Sequence, residues 1–173
     1  MPHDAVQDVL DVSPDTPLRV LIVDDSSVTR AVVRRAIRMA GNVDDRPVNI
    51  EEACDGQEAL EKLRDAEFHV CFLDLNMPRM GGMEVASAVF ADGSISTAIV
   101  VVSSESMRDK IDRLQRDGVR GYIRKPFAPE QIREMLHRLQ STETCPLRFV
   151  RRRDFRLIAG GAASREFARV RRA

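Results

Sequence analysis

Chemically active side chains follow four apolar segments of this sequence. The stretch CFLDLNMPRM, residues 71–80, carries one acid, Asp74, directly after an apolar run and before a Met-Pro turn. Three other apolar runs end in Asp24-Asp25, Ser103-Ser104 and Lys125. Singly, each has an ordinary explanation, because acids and serines cap helices and lysines are mostly solvated. Together they predict a site, if the fold brings these segment ends to one place.

A cluster of three carboxylates needs compensation. Two like charges about 4 Å apart repel by about 4 kcal/mol at an effective dielectric near 20. A hard divalent cation offsets this repulsion, and oxygen ligands with room for waters favour Mg²⁺. A carboxylate beside a metal, an ammonium and a hydroxyl suits a phosphoryl group. We therefore predict that Asp74 attacks a phosphoryl donor and becomes an acyl phosphate, with Ser103 and Lys125 binding the phosphoryl oxygens.

Five apolar segments alternate with five helical ones and supply the frame for these residues. The strand segments are LRVLIVDD, VNIEEA, FHVCFLD, AIVVVSS and a short strand in GYIRKPF. The predicted helices cover 26–41, 55–66, 83–90, 106–118 and 128–140. Short continuous apolar strands alternating with helices predict an α/β fold, a doubly wound five-stranded parallel sheet with helices on both faces. In such sheets the functional crevice lies at the carboxyl ends of the strands.

Local signals refine two of these helices. Ser26 or Ser27 can cap the first helix and Gly41 can end it, while Asp55 is a cap candidate for the second. In the first helix, the apolar residues that fall roughly at helical spacing are Val28, Val32, Ile37 and Met39.

Composition limits the remaining possibilities. The chain has 173 residues, 43% hydrophobic and 31% charged, which suits one domain with extensions. The net charge of zero conceals an asymmetry, because residues 141–173 hold nine arginines and three acids. Three cysteines without paired or metal-ligand spacing indicate a reducing compartment. The acidic N-terminus is not a signal peptide, and no apolar run approaches the about 20 residues of a membrane span. We expect a cytoplasmic protein without membrane contact.

Four motifs carry a resemblance to a known family. In order, VLIVDDSS, CFLDLNMPRMGG, VVVSSES and GYIRKPF resemble the receiver domain of bacterial two-component response regulators, with the CheY-like, flavodoxin-like (βα)5 fold. The resemblance covers residues 18–140 and leaves two segments that are predicted to be disordered, an acidic extension at 1–17 and a basic, Arg-rich tail at 141–173. It implies that Asp74 is phosphorylated from a sensor histidine kinase or a histidine phosphotransfer protein. It also implies a phosphoacceptor that catalyses its own Mg²⁺-dependent phosphorylation and dephosphorylation, not a turnover enzyme.

The resemblance assigns further roles. Asp24, Asp25 and Asp74 would hold Mg²⁺ with the backbone carbonyl of Asn76. Ser103 takes the position of the switch hydroxyl, and Lys125 that of the family's invariant lysine, whose bond to the following proline is normally cis.

Two further positions concern switching and lifetime. Tyr122 matches the aromatic switch residue, with an edge-strand tyrosine packed on the surface as the alternative. Asn76 and Glu105 occupy the positions that tune phosphoryl lifetime, and the pair resembles the fast-cycling chemotaxis type. The expected output is a change in the surface formed by the fourth helix, the fifth strand and the fifth helix, which shifts binding of a downstream protein.

Other functions remain open at this point. The basic tail could bind nucleic acid, as in a DNA-binding transcriptional regulator, although no helix-turn-helix pattern is visible. The chain could also be a truncated multidomain regulator, because about 33 residues after the last helix are too few for a further ordinary domain. A hydrolase of the haloacid-dehalogenase type would need a second Asp two residues after the nucleophile, where this chain has Asn76.

Overall fold

A computed structural model of the chain describes residues 17–41, 46–104 and 118–141. Its strands are β1 (Leu18–Val23), β2 (Val48–Ala53), β3 (Val70–Leu73), β4 (Ala98–Ser103) and β5 (Gly121–Arg124). Its helices, numbered here in chain order, are α1 (Ser27–Met39), α2 (Gly56–Asp65), α3 (Gly82–Ala91) and α4 (Pro129–Ser141). The helix predicted at 106–118, Glu105 and nearly all of both predicted extensions lie outside the described residues.

All five strands pair in parallel, in the order β2-β1-β3-β4-β5. The predicted doubly wound parallel sheet is therefore confirmed. The chain passes from β1 to β2 on one side and then returns to β3 on the other side of β1. This reversal opens a crevice at the carboxyl ends of β1 and β3, where open α/β sheets bind their ligands.

Helices cover both faces of the sheet, and alternate strand residues point to opposite sides. On one face Leu21, Val23 and Leu73 belong to a core that includes residues of α2 and α3. On the other face Ile22 and Phe72 belong to a core that includes residues of α1 and α4. Continuous apolar strands are what this two-sided burial requires. Within the described ranges, no helix combines the length and apolar character needed to cross a membrane.

The buried face of α1 differs from the one that the apolar spacing suggested. Val28, Val32 and Met39 are exposed, at 72%, 40% and 65%. The buried residues of α1 are Val33, Ala36 and Ile37. Small Ala36 belongs to the true core face, so a pattern built from large apolar residues alone selected the wrong side. Only Ile37 of the four expected residues is in the core.

The predicted helix caps are confirmed. Thr29 N–H donates to Ser26 Oγ at 3.3 Å at the start of α1, and Gly41, with φ of 74°, follows its end. Glu58 N–H donates to Asp55 Oδ1 at 2.9 Å at the start of α2. Each cap pairs a backbone donor that the first helical turn leaves without an internal partner. Both caps lie at the carboxyl edge of the sheet, so they also fix the loops that border the crevice.

The charge of Glu58 should stabilise the start of α2 in a pH-dependent way. Its carboxylate accepts the Cys54 N–H at 2.8 Å and lies 3.1 Å from Lys62 Nζ. The Cys54 hydrogen bond, which outweighs the effect of burial, lowers the pKa of Glu58 to about 2. A lowered folded pKa stabilises the protein above the unfolded pKa of about 4.3, and this contribution disappears as pH falls towards 2.

We therefore expect Glu58→Gln to lower the free energy of unfolding at pH 7 by about 1 kcal/mol, since this partly exposed site is screened by solvent. The difference from wild type should shrink steadily below pH 4.5 in urea unfolding. Glu61→Gln, on the exposed face of the same helix, is the control. A Glu58→Gln effect independent of pH would contradict the assignment.

Candidate active site at the carboxyl edge of the sheet

Strands β1 and β3 place two buried aspartates side by side. Asp24 follows β1 and its N–H donates to Ala53 O at 3.2 Å, while Asp74 follows β3 and its N–H donates to Val23 O at 2.9 Å. These bonds continue the strand ladders by one residue, so both backbones are held as rigidly as the sheet. The two residues are only 3% and 4% exposed. Asp25, the next residue, is exposed.

The structure brings all three predicted acids together. One carboxylate oxygen from each of Asp24, Asp25 and Asp74 lies within 4.8 Å of the other two. Such a group of hard oxygen donors suits Mg²⁺, which keeps several waters and binds few carboxylates. The exposure of Asp25 leaves one side of the group open to those waters. The residues present therefore fit the predicted ion.

Lys125 holds the two buried carboxylates. Its Nζ lies 2.7 Å from Asp24 Oδ2 and 3.0 Å from Asp74 Oδ2, and the side chain is 20% exposed. Burial lowers the pKa of Lys125, but hydrogen bonds and attraction from the two carboxylates outweigh it and raise this pKa overall. One ammonium thus serves two carboxylates, which leaves the site with a net negative charge.

Burial is the largest influence on the pKa of Asp74. It raises the pKa of this carboxyl above its ordinary value, although the hydrogen bond and charge of Lys125 act in the opposite direction. The nearby charge of Asp24 adds to the increase. Ionised Asp74 is therefore held in the site at a cost in folding free energy, which is typical of a functional rather than a stabilising residue.

Ser103, the last residue of β4, lies at the same edge of the sheet. Ser103 is fully buried, ends β4 and pairs in register with Arg124 of β5. Lys125 N–H donates to Ser103 O at 2.8 Å, so the backbones of the two predicted phosphoryl-binding residues are joined directly. The peptide bond from Lys125 to Pro126 is cis, as expected from the resemblance.

Tyr122 points into the protein. It is 5% exposed, belongs to the core that includes α2 and α3, and its hydroxyl donates to Ser103 O at 3.4 Å. The alternative of a tyrosine packed on the surface is therefore wrong. The contact links the side chain of Tyr122 to the residue at the predicted switch position.

The loop after β3 packs tightly on Asp74. Asn76 N–H donates to Asp74 Oδ1 at 3.4 Å. A Cβ atom added to Gly82 would lie 2.0 Å from Asp74 O, so the start of α3 can approach Asp74 only because residue 82 is glycine. The available sequence signal was the Gly81-Gly82 pair at the end of the motif CFLDLNMPRMGG.

Two arginine contacts near the site were missed from the sequence. Arg30 Nη1 donates to Asp24 O at 2.7 Å, and Arg79 Nη2 lies 2.5 Å from Asp55 Oδ2. Arg79 has a φ of 69°, in the left-handed region that most side chains avoid. The available signal for Arg30 was its place in the first turn of α1, close to the acidic pair.

Comparisons with known proteins agree with this geometry. Residues 20–137 match the sequence profile of the response regulator receiver domain. The chemotaxis protein CheY of Pseudomonas aeruginosa is 33% identical over 123 residues, which cover 70% of this chain and 95% of that protein.

Solved structures give the same relationship. Chemotaxis protein CheY4 of Vibrio cholerae is 35% identical, with a TM-score of 0.63 over 71% of this chain and 98% of that one. TrrA of Thermotoga maritima, solved with Mg²⁺ and a beryllium fluoride, is 25% identical, with a TM-score of 0.59 over 70% and 97%. A profile match over more than half of the chain, on a five-stranded parallel sheet with acids at its carboxyl edge, fixes the relationship. The chain belongs to the receiver domain family of two-component response regulators, which are CheY-like signalling proteins and not turnover enzymes.

Proposed function

We propose that this receiver accepts a phosphoryl group on Asp74 from a phosphohistidine of a sensor kinase or a phosphotransfer protein. The observation that carries the proposal is the bridge formed by Lys125, which contacts Asp74 and Asp24 beside a third acid. A carboxylate held at a strand end by a cation is rigid enough to be aligned with a phosphorus atom. Alignment and electrostatics supply most of the catalysis in phosphoryl transfer.

The proposal gives Asp24, Asp25 and Asp74 the role of magnesium ligands, with the backbone carbonyl of Asn76 as a further ligand. Two observations support this: the three carboxylates converge, and the relative TrrA was solved with Mg²⁺ and a beryllium fluoride. When bound, the ion neutralises charge on the transferred phosphoryl oxygens. The chain's own contribution is to hold the carboxylates at one point of the sheet edge.

In the proposed step a carboxylate oxygen of Asp74 attacks phosphorus. The bond from phosphorus to the histidine nitrogen breaks, its electron pair returns to the imidazole, and an acyl phosphate forms on Asp74. Lys125 moves its interaction from the acceptor carboxylate to a phosphoryl oxygen, and the Ser103 hydroxyl donates to another. Hydrolysis reverses the modification when water attacks the same phosphorus and the carboxylate leaves.

Signal output would pass through Ser103 and Tyr122. Attraction of the Ser103 hydroxyl to the phosphoryl group would shift the balance between two arrangements around Tyr122, whose hydroxyl already contacts Ser103 O. The proposed downstream partner is a protein that binds the face of β5, α4 and the helix predicted at 106–118. The chemotaxis proteins among the relatives support a motility pathway, and the cysteine pattern supports a cytoplasmic location.

The experiment that tests the proposal is phosphorylation by a small donor. Incubation of the full chain with acetyl phosphate and Mg²⁺ should raise its intact mass by one phosphoryl group. EDTA should prevent the increase, because the three acids would then be left without their cation. A chain that gains no mass, or gains it equally well in EDTA, would refute the proposed reaction.

We also expect the phosphorylated state to be short-lived. Asn76 and Glu105 at the two lifetime-tuning positions resemble the fast-cycling chemotaxis type, and Asn76 lies beside the acceptor. After removal of the donor, the added mass should disappear within minutes in the presence of Mg²⁺. A half-life of hours under these conditions would contradict the prediction, with EDTA-quenched samples as the control for loss during handling.

The basic tail is a separate question. Residues 141–173 would be responsible for any nucleic acid binding. The alternatives of a DNA-binding regulator and of a truncated regulator also depend on this tail, and all of them remain predictions. Salt-sensitive retention on nucleic acid that vanishes on deletion of 141–173 would support them. The hydrolase alternative has no support, since the family consists of signalling proteins and Asn76 cannot act as a general acid or base.

A further inference from the structure

We infer that Arg30 is a positioning residue for the metal-binding acids, and that it acts by fixing the peptide unit between Asp24 and Asp25. The inference rests on the proposed magnesium site. It concerns a residue of α1 that would touch neither the metal nor the phosphoryl group. Its experimental signature is a change in Mg²⁺ affinity that is separate from any change in stability.

The Arg30 guanidinium bridges two elements. Its Nη1 donates to the backbone carbonyl of Asp24 at 2.7 Å, and its Nε donates to Glu52 Oε2 on β2 at 2.9 Å. The Arg30 side chain is 16% exposed and that of Glu52 is 25% exposed. A planar guanidinium held by a carboxylate on one edge presents its other donors in a fixed direction. The Asp24 carbonyl therefore receives a hydrogen bond of defined orientation.

This bond completes the fixation of Asp24. Its N–H donates to Ala53 O, its Oδ1 accepts from Ser26 N–H at 2.9 Å, and its Oδ2 accepts from Lys125. The bond from Arg30 holds the remaining polar atom. All four polar groups of this residue are thus engaged.

Fixing the Asp24 carbonyl also affects the position of Asp25. The carboxylate of Asp25 is exposed and has no hydrogen bond or ion pair with any of the described residues. The Asp24 carbonyl and the Asp25 N–H belong to one planar peptide unit, so a bond that fixes the carbonyl also fixes the path of the chain into Asp25. Arg30 is therefore the described side chain that aims this carboxylate towards Asp24 and Asp74.

The chain contains a matched control. Arg34, one turn later on α1, pairs with the other oxygen of Glu52 at 2.6 Å. It has the same charge and the same carboxylate partner as Arg30, but only Arg30 of the two donates to Asp24 O. If Arg30 only joined α1 to β2, loss of either arginine would have similar effects. If Arg30 positions the acids, only its loss weakens metal binding.

The experiment compares Arg30→Met with Arg34→Met in the full chain. Mg²⁺ affinity is measured by isothermal titration calorimetry, and stability by urea unfolding in EDTA. Arg30→Met should bind Mg²⁺ at least about tenfold more weakly than wild type, the usual effect of losing a residue that orients metal ligands. Arg34→Met should bind Mg²⁺ as wild type does. Arg30→Lys, which cannot reach both partners with a planar fork, should fall between them.

Three outcomes overturn the inference, and they are distinguishable. If wild type binds Mg²⁺ but Arg30→Met and Arg34→Met bind it equally well, Arg30 is only structural and the proposed function stands. If wild type binds no Mg²⁺, the proposed metal site fails together with the inference. Glu52→Gln serves if Arg30→Met does not fold, since it frees Arg30 without removing it. That variant should also weaken Mg²⁺ binding, and unchanged affinity would overturn the inference as well.

Discussion

Asp74→Asn should take up no phosphoryl group from acetyl phosphate and Mg²⁺, whereas the wild-type chain gains one. An amide is nearly the same size as a carboxylate but lacks the charge that makes the oxygen nucleophilic. Asp24 is equally buried and also contacts Lys125, so the proposal that Asp74 is the acceptor among the three clustered acids rests on its place in the receiver motif CFLDLNMPRMGG. Intact mass spectrometry over a time course measures the difference, which should be complete.

The controls separate lost chemistry from lost folding. Burial raises the pKa of Asp74, and a raised folded pKa means that its ionised form lowers stability once pH exceeds both pKa values. Asp74→Asn in EDTA should therefore be at least as stable as wild type at neutral pH. Asp55→Asn, which changes another buried acid at the same sheet edge, should still be phosphorylated. Phosphorylation of Asp74→Asn at the wild-type level would exclude Asp74 as the acceptor.

Of the variants proposed, Lys125→Met should lower the free energy of unfolding most. It leaves Asp24 and Asp74 buried and adjacent without their shared cation, and removal of one partner from a buried ion pair typically costs 3–5 kcal/mol. Because Lys125 retains 20% exposure, we expect a loss of about 3 kcal/mol in the free energy of unfolding at pH 7 in EDTA. Phosphorylation should also slow, since the phosphoryl oxygens lose a cation.

Urea unfolding with and without Mg²⁺ tests this prediction. Added Mg²⁺ should restore part of the lost stability, because a metal at the same carboxylates replaces some of the missing charge. The folded pKa of Lys125 is raised, so its stabilising effect is present below the ordinary lysine pKa of about 10.4 and disappears as pH rises through the folded value. Arg124→Met, which changes an exposed neighbouring cation, is the control. Equal stability of the two variants would contradict the role of Lys125.

The fold and the core of the site could be predicted because both depend on patterns that parallel sheets impose. The strands buried on both faces are apolar apart from Arg19, and in β1, β3 and β4 the apolar run ends in polar residues. All parallel strands end at the same edge, so the sequence alone predicts that Asp24, Asp74 and Lys125 are neighbours. Their spacing in the sequence, up to 101 residues, carried no information about this proximity.

Features set by side-chain packing could not be predicted. Val28 and Met39 of α1 are exposed, whereas Ala36 is buried in the core. Alanine occurs on both buried and exposed helix faces, so its presence in the sequence does not identify the core face. The inward position of Tyr122 depends on the space between the sheet and the helices on the face covered by α2 and α3. The hydrogen bond from Arg30 to Asp24 O has a backbone carbonyl as its acceptor. Every residue has such a carbonyl, so the amino-acid types do not indicate which one Arg30 contacts.

The most direct test of the central claim is to locate the phosphoryl group on the chain. The protein is loaded with acetyl phosphate and Mg²⁺, the acyl phosphate is reduced with borohydride, and peptides are sequenced by tandem mass spectrometry. Borohydride converts a phosphorylated aspartate to homoserine, so the modified residue is identified directly. We predict homoserine at position 74 alone, and only when Mg²⁺ was present. Homoserine at Asp24, Asp25 or Asp55 in place of Asp74 would contradict the account.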